Sequence, residues 1–161
     1  MITDEVRARR EKIVLDHFAD EVAQDWDATL STFPHPRYEI VPTQTVHDGD
    51  GAVRGYYHDT RVAFPDQHHE MIALRHSDDA VIVEFHLLGT HLGPFGLVPP
   101  TGSSFKVRMT AYFVFDEDEE LSCERIYFDQ TTFVRQLLGG IDKRSPSGLL
   151  TLAKALRGFA K

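Results

Sequence analysis

The sequence predicts an α+β fold in which N-terminal helices pack on one face of a curved antiparallel sheet. Apolar residues recur at helical spacing before Gln67, whereas after Gln67 they alternate with polar residues and turn residues interrupt the pattern. Helices followed by long hairpins form an order that is typical of α+β domains. With 161 residues, the chain has the length of one domain and is long enough to bury a sizeable core.

Three helical segments precede the predicted sheet. Thr3 can cap the first helix, whose apolar stripe consists of Val6, Ile13, Val14, Phe18 and Val22. Residues 24–32 form a second helical segment that a proline ends, and residues 52–63 form a third after two Asp-Gly turns. Residues 38–46 have β-type composition. Because Pro42 has no amide hydrogen, this segment is expected at a sheet edge or at a bulge.

Two hairpins account for the rest of the predicted sheet. The first joins residues 67–75 to residues 80–88, and the second joins residues 105–115 to residues 121–128 through an acidic turn. In the third of these strands, one face carries Phe105, Val107, Met109, Ala111, Phe113 and Phe115. The opposite face carries Lys106, Arg108, Thr110 and Tyr112. We therefore expect the first face in the core and the second at solvent or at a subunit interface.

Composition and charge argue against several classes of function. The net charge of −8 opposes phosphate binding, so we predict no nucleic-acid partner. No apolar run approaches the length of a membrane span and the charged N-terminus shows no secretory signal, so we predict no membrane span and a cytoplasmic location. Cys123 is the only cysteine, and the adjacent His68 and His69 would point to opposite faces of a strand. We therefore predict no disulfide and no metal site. Nucleotide loops, P-loops and zinc-ligand spacings are also absent from the sequence, so we predict no cofactor.

Four motifs between residues 89 and 137 carry a resemblance to a known family. They are Gly89-Thr90-His91-Leu92-Gly93, Pro99-Pro100-Thr101-Gly102, a strand that runs from Glu124 to Asp129, and a short helix containing Arg135-Gln136-Leu137. In this order they resemble the C-terminal half of the SnoaL-like polyketide cyclase, or ester cyclase, family of the nuclear-transport-factor-2-like superfamily. The resemblance implies an α+β cone around one apolar pocket, built by residues 1–140, and a homodimer formed through the outer sheet face.

Residues 141–161 are extra to this resemblance and are predicted to form a C-terminal helical extension. Ser145-Pro146 can begin a helix. Five basic residues against the single acid Asp142 give the extension a local charge of +4. We expect the helix to dock on its own domain or on a partner subunit through the apolar stripe formed by Leu149, Leu152, Leu156 and Phe159.

The resemblance implies cofactor-free acid/base chemistry on a hydrophobic carbonyl compound, such as an intramolecular aldol ring closure of a polyketide ester. In the best-understood cyclases of the family, a His and an Asp on the last two strands act as acid and base, and the resemblance places these positions at Tyr112 and Ile126. Because Ile126 cannot transfer a proton, either other residues do the chemistry or the chain is a non-catalytic module that binds a hydrophobic small molecule. Relatives of this fold also catalyse hydrolysis, isomerisation and dehydration, so the reaction type stays open.

His91 and Asp129 are candidates for proton transfer because both lie at strand ends that the fold brings to one cavity. His91 opens a Gly/Pro-rich loop, where its imidazole could move protons or could only hydrogen-bond the loop. Asp129 could act with a raised pKa in an apolar pocket, or it could cap the helix that follows. Glu124 and Tyr127 complete the catalytic candidates. The predicted substrate-binding residues are Tyr57, Phe85, Met109, Tyr112 and Phe113.

Overall fold

The computed structural model describes residues 2–159, without the side chain of Phe159. The helices in this range are α1 (Asp4–Ala23), α2 (Trp26–Ser31), α3 (Asp50–Ala63), α4 (Gln130–Gly139) and α5 (Pro146–Phe159). The strands are β1 (Arg37–Ile40), β2 (Thr45–Asp48), β3 (His68–His76), β4 (Ala80–Thr90), β5 (Ser104–Phe115) and β6 (Leu121–Phe128). This order confirms the predicted α+β class. No helix within the described range is long and apolar enough to cross a membrane.

The six strands form one open, curved sheet in the order β2-β1-β6-β5-β4-β3. Strands β3 to β6 form the two predicted hairpins, and the pairing of β4 with β5 joins these hairpins into one antiparallel meander. β1 differs from the prediction because it runs parallel to β6, with Tyr38 opposite Glu124 and Ile40 opposite Ile126. Pro42 lies in a 3₁₀ turn between β1 and β2, where no ladder hydrogen bond requires an amide hydrogen. The sheet is therefore mixed rather than purely antiparallel.

Helix α1 begins as predicted but buries a different face. The side chain of Thr3 accepts a hydrogen bond from the amide of Val6 at 3.3 Å, which caps the helix. The buried residues of α1 are Arg10, Val14, His17, Phe18 and Glu21. Val22, which belongs to the predicted apolar stripe, is 44% exposed. The helix therefore carries three polar or charged side chains into the interior.

Arg10 fastens α1 to the acidic turn between β5 and β6. Its guanidinium group donates to both carboxylate oxygens of Glu119, at 2.7 and 2.8 Å, and to the carbonyl oxygen of Asp78 at 3.1 Å. The group also lies over the ring of Phe115, 4.8 Å from its centroid. Because a buried cation without partners is strongly destabilising, this bidentate pair fixes the position of α1 on the sheet.

The C-terminal extension contacts its own domain through α5, where Leu152 of the predicted stripe is half-buried and the most buried residue, Ala155, lies outside that stripe. Ala155 is fully buried. The helix also lies so close to the loop between β4 and β5 that a Cβ added at Gly158 would stand 2.8 Å from Val98. Leu149 and Leu156 are both more than half exposed. The side chain of Phe159, the last residue of the predicted stripe, lies outside the described residues.

Candidate active site

A cavity of about 640 Å³ lies between the helices and the sheet. Its wall is mainly apolar and includes Ile40, Phe85, Leu87, Met109, Ile126, Phe128 and Phe133. Among the polar side chains that interrupt the wall are Glu21, Tyr38, His69 and Glu124. Small-molecule sites in proteins usually have this size and this mixture of an apolar wall with a few polar groups. The cavity is therefore the candidate active site.

Strand β6 places a carboxylate in the apolar wall by strand alternation. Glu124, Ile126 and Phe128 line the cavity, whereas Arg125 and Tyr127 point to the other face of the sheet. Glu124 is only 3% exposed, and its buried Oε2 atom accepts no hydrogen bond from the described residues. Because buried polar atoms are normally hydrogen-bonded, this oxygen has an unused lone pair that a ligand can engage.

His17 lies next to Glu124 and is completely buried. Its Nε2 atom is 3.4 Å from Oε2 of Glu124 and 2.7 Å from the hydroxyl of Tyr38. The Tyr38 hydroxyl also hydrogen-bonds the hydroxyl of Tyr57. These four side chains come from α1, β1, α3 and β6, so the folded chain is required to bring them together.

The hydrogen bond of His17 Nδ1 determines which ring nitrogen can titrate. The hydroxyl of Thr32 donates to the carbonyl of Thr29 at 2.6 Å, so its oxygen accepts the hydrogen of His17 Nδ1, 3.0 Å away. Nε2 therefore gains and loses the proton. Burial lowers the pKa of His17, but the Glu124 carboxylate 3.4 Å away raises it by more, so the net pKa lies above the ordinary value.

Glu21 lies one helical turn after His17 and is a second buried carboxyl group in the cavity wall. Burial and the negative charge of Glu124 raise the pKa of Glu21 to about 7, while His17 and Arg61 oppose the rise. Its Oε2 atom is 3.7 Å from Nε2 of His69. Burial and the nearby Arg61 lower the pKa of His69 to about 3, so His69 is neutral at neutral pH. The cavity therefore contains a carboxyl group whose pKa is raised towards neutral pH.

Tyr38 and Arg61 are two further polar groups at the cavity. Burial and the negative charge of Glu124 raise the pKa of Tyr38 well above its ordinary value, so its hydroxyl stays neutral. Arg61 of α3 donates to the backbone carbonyls of Glu21, at 2.8 Å, and of Gln67. These bonds tie α3 to α1 and place a positive charge behind the cavity wall.

Three of the predicted site residues line this cavity: Glu124, Phe85 and Met109. Phe113 and Tyr57 lie immediately behind the wall. Phe113 is fully buried with its ring 5.4 Å from that of His17, and the Tyr57 hydroxyl reaches Tyr38. Both residues support the polar cluster without lining the cavity.

Tyr112 and Tyr127 lie on the opposite face of the sheet, which corrects their assignment to the pocket. Their rings contact each other at 5.5 Å, and Tyr127 is 40% exposed. Tyr112 pairs with Arg125, whereas its neighbour Ala111 pairs with the cavity residue Ile126. Tyr112 therefore cannot occupy the same side of the sheet as Ile126, and the family position assigned to it does not face the cavity.

His91 and Asp129 are also outside the cavity wall, so the expectation that both border it was wrong. The backbone of His91 exchanges hydrogen bonds with Ser103 and Gly102, and its Nδ1 atom is 3.0 Å from the hydroxyl of Thr101. His91 thus closes the loop between β4 and β5. Asp129 caps α4 by accepting from the side chain and the amide of Thr132, and these bonds lower its pKa instead of raising it.

Four polar residues of the cavity region were not among the site residues predicted from the sequence: His17, Glu21, Tyr38 and His69. Two of them carried a readable signal: His17 and Glu21 are spaced with Val14 and Phe18 on one face of α1, so they fall within an apolar helical stripe. Ionisable residues within such a stripe are candidates for buried function. Tyr38 carried no comparable signal, because its partner Glu124 comes from the parallel strand pair.

Comparisons with known proteins agree with this architecture. The sequence profile of the SnoaL-like polyketide cyclases matches residues 13–137. A protein from Jannaschia sp. CCS1 described as a SnoaL-like polyketide cyclase has a TM-score of 0.76 at 20% identity, over 85% of this chain and 96% of that one. A protein from Xanthomonas campestris pv. campestris described as a polyketide cyclase has a TM-score of 0.73 at 16% identity, over 82% of this chain and 98% of that one.

A third similar solved structure is described by a reaction other than polyketide cyclisation. It is the epoxide hydrolase/cyclase-like enzyme SalBIII, described by its role in pyran ring formation in the polyether salinomycin. Its TM-score is 0.66 at 21% identity, over 81% of this chain and 97% of that one.

No curated protein sequence matches the chain significantly. The structural likenesses show the nuclear-transport-factor-2-like fold, and because the family profile spans most of the sequence, the chain belongs to the SnoaL-like polyketide cyclase family.

Proposed function

We propose that this chain is an enzyme that carries out cofactor-free acid/base chemistry on a hydrophobic carbonyl compound, such as the intramolecular aldol ring closure of a polyketide ester. The observation that carries the proposal is the pair of carboxyl groups, Glu21 and Glu124, in the wall of one apolar cavity. The pKa of Glu21 is about 7, so near neutral pH one carboxyl group can act as a base while the other acts as an acid.

The pair supplies both proton transfers of an aldol ring closure. The unpartnered Oε2 atom of Glu124 takes a proton from the carbon next to the substrate's carbonyl group. That carbon then forms a bond to a second carbonyl carbon of the same molecule, and protonated Glu21 gives its proton to the second carbonyl oxygen, which becomes a hydroxyl. Glu124 ends protonated and Glu21 ionised, and exchange with solvent restores the starting forms.

His17 and Tyr38 position this pair. The protonated Nε2 of His17 faces the Glu124 carboxylate and stabilises its negative charge, while Tyr38 keeps the imidazole in place through its 2.7 Å hydrogen bond. The mainly apolar wall lowers the local dielectric constant, which strengthens each of these electrostatic interactions. Hydrolysis, isomerisation or dehydration would use the same acid and base.

A non-catalytic binding module is the alternative, and one observation favours it. Ile126 lines the cavity at the position that the family resemblance assigns to the catalytic Asp, so the cavity lacks that carboxylate. A module of this kind would hold a hydrophobic ligand in the same cavity without converting it.

The test incubates the protein with a panel of aromatic polyketide esters and follows products by mass spectrometry. Glu124→Gln and Glu21→Gln should each lower the rate roughly 10²- to 10⁴-fold, because each removes one positioned acid or base and keeps the shape of the side chain. Asp16→Asn is the matched control, since Asp16 is exposed on the same helix as Glu21. Asp129→Asn, which retains the capping oxygen outside the cavity, is a second control. Both controls should keep full activity.

Two results would decide against the acid/base pair. Full activity in both glutamine variants would assign the chemistry to other groups. Tight ligand binding by the unmodified protein without any product would favour the binding module.

A further inference from the structure

A second, outer cavity of about 550 Å³ lies beside the end of α5. It is lined by the loop residues Pro94, Gly96, Leu97, Val98 and Pro99 and by the helix residues Lys154, Arg157 and Gly158. We call it the outer basin. Lys154 and Arg157 are three residues apart on α5, so their side chains extend from the same face of the helix. In the part of the chain that the structure describes, neither cation has a carboxylate partner.

The outer basin adjoins the candidate active site. Gly96, Leu97, Val98 and Gly158 line both cavities, so a partition only one loop and one helix turn thick separates them. The side chain of Leu97 is 65% exposed and packs little against its surroundings. Because the two cavities share these four residues, a single elongated ligand lying across Leu97 could contact both of them.

The charges of the two cavities fix the orientation of such a ligand. The inner cavity contains the carboxyl groups of Glu21 and Glu124, which repel a negatively charged end. The outer basin contains two cations on a chain whose net charge is −8, so it is a locally positive site on an acidic protein. An arginine beside a lysine suits a carboxylate or phosphate, because the guanidinium group can bind two oxygens at once.

We infer that the outer basin binds the anionic end of an elongated hydrophobic ligand, a carboxylate or a phosphate group, while the apolar body of the ligand occupies the inner cavity. This inference rests on the proposed function only in taking the inner cavity as the ligand site. It adds a chemical class for the ligand: an amphiphile with one acidic end and an uncharged reactive body.

The test measures binding by isothermal titration calorimetry with three probes of equal chain length: decanoate, decyl phosphate and the uncharged decanamide. The unmodified protein should bind the two anions more tightly than the amide. Removing both basin cations in Lys154→Gln/Arg157→Gln should weaken anion binding roughly tenfold, since exposed ion pairs contribute modestly one by one. Binding of decanamide should not change. Tighter binding of decyl phosphate than of decanoate would assign phosphate as the preferred group, and the reverse would assign carboxylate.

The matched control is Lys143→Gln/Arg144→Gln, which removes the same charge from the same extension at residues that do not line the basin. It should leave the binding of all three probes unchanged. Equal losses in the two double variants would show that only the general charge of the extension matters and would overturn the inference. An unaffected basin variant, or equal affinity of the unmodified protein for anions and amide, would overturn it too. Because the readout is binding, this test can fail while Glu21 and Glu124 prove catalytic, and the reverse also holds.

Discussion

Glu21 is a residue whose protonation state depends strongly on the folded structure. Its carboxyl group is buried, and four ionisable groups surround it: Glu124 of β6, His17 of α1, Arg61 of α3 and His69 of β3. Burial and Glu124 raise its pKa from 4.5 to about 7. Because the folded pKa lies above the unfolded one, the folded state favours the protonated form, and Glu21 contributes most to stability at low pH.

We therefore predict that the contribution of Glu21 to stability is fully present below about pH 4.5 and is lost as the pH rises through about 7. Glu21→Gln mimics the protonated form at every pH. The difference in free energy of unfolding between Glu21→Gln and the unmodified protein should grow from about pH 4.5 to about pH 7 and stay constant, at no more than about 3 kcal/mol, at higher pH. Urea unfolding at a series of pH values measures this difference, with Asp16→Asn as the control. Parallel stability curves for Glu21→Gln and the unmodified protein would contradict the pKa assignment.

Of the site residues predicted from the sequence, Glu124, Phe85 and Met109 line the cavity, whereas Tyr112 and Tyr127 lie on the opposite face of the sheet. The period of two already puts Tyr112 on the face with Lys106 and Arg108, so its outward position was readable from the strand. Tyr112 was nevertheless assigned to the pocket because the family resemblance placed a site position there. The partners of Glu124 were not readable, because His17 and Tyr38 approach it only through contacts between segments far apart in the chain.

At the scale of single elements, α3 shows how a helix can leave space for a ligand. Gly55 lies in the interior of α3, lines the cavity and is exposed. No atom lies within 4 Å of the position that a Cβ at Gly55 would take. No neighbouring atom therefore requires a glycine at this position, and glycine within a helix has an entropic cost on folding.

We predict that Gly55→Ala raises the free energy of unfolding by about 0.5 to 1 kcal/mol, because alanine has less freedom to lose and meets no neighbour. Gly93→Ala is the contrasting variant. A Cβ at Gly93 would stand 2.0 Å from the carbonyl oxygen of Val62, so the backbone would have to shift. We expect Gly93→Ala to destabilise the protein by about 1 to 3 kcal/mol. Thermal unfolding of the two variants checks both signs, and equal effects would contradict this account.

The elements themselves were largely predictable, while one pairing was not. Helices α1 to α3 and the two hairpins follow from local periodicity and turn residues, and their bounds agree closely with the sequence. The parallel contact of β1 with β6 has no local signature, because each strand is equally compatible with an antiparallel neighbour. The burial of Ala155 in the contact of α5 was not predictable either. An alanine does not stand out in the pattern of large apolar residues from which the docking face of a helix is predicted.

For the whole molecule, we predict a homodimer formed through the outer face of the sheet. This face presents the ring pair of Tyr112 and Tyr127 together with ion pairs such as Arg125 with Glu39, at 2.5 Å. Light scattering at micromolar concentration should give twice the monomer mass. Tyr127→Glu should shift the mass towards the monomer, because it adds an unpaired charge at the interface.

Leu150→Glu is the control for the predicted dimer. Leu150 is 58% exposed on α5, away from the sheet, and its substitution should leave the mass unchanged. A monomeric mass for the unmodified protein would disprove the predicted dimer.

The parallel pairing of β1 with β6 has a consequence for the order of folding during synthesis. Strands β3 to β6 are neighbours in both sequence and space, so they can pair as they leave the ribosome. β1 pairs with β6, and Arg10 of α1 pairs with Glu119 in the turn before β6. The N-terminal segment therefore cannot dock on the sheet until nearly the whole chain has been synthesised. His17 and Glu21 reach Glu124 in that same docking step, and the nascent protein therefore has no assembled cavity wall and no proposed acid/base pair until folding is almost finished.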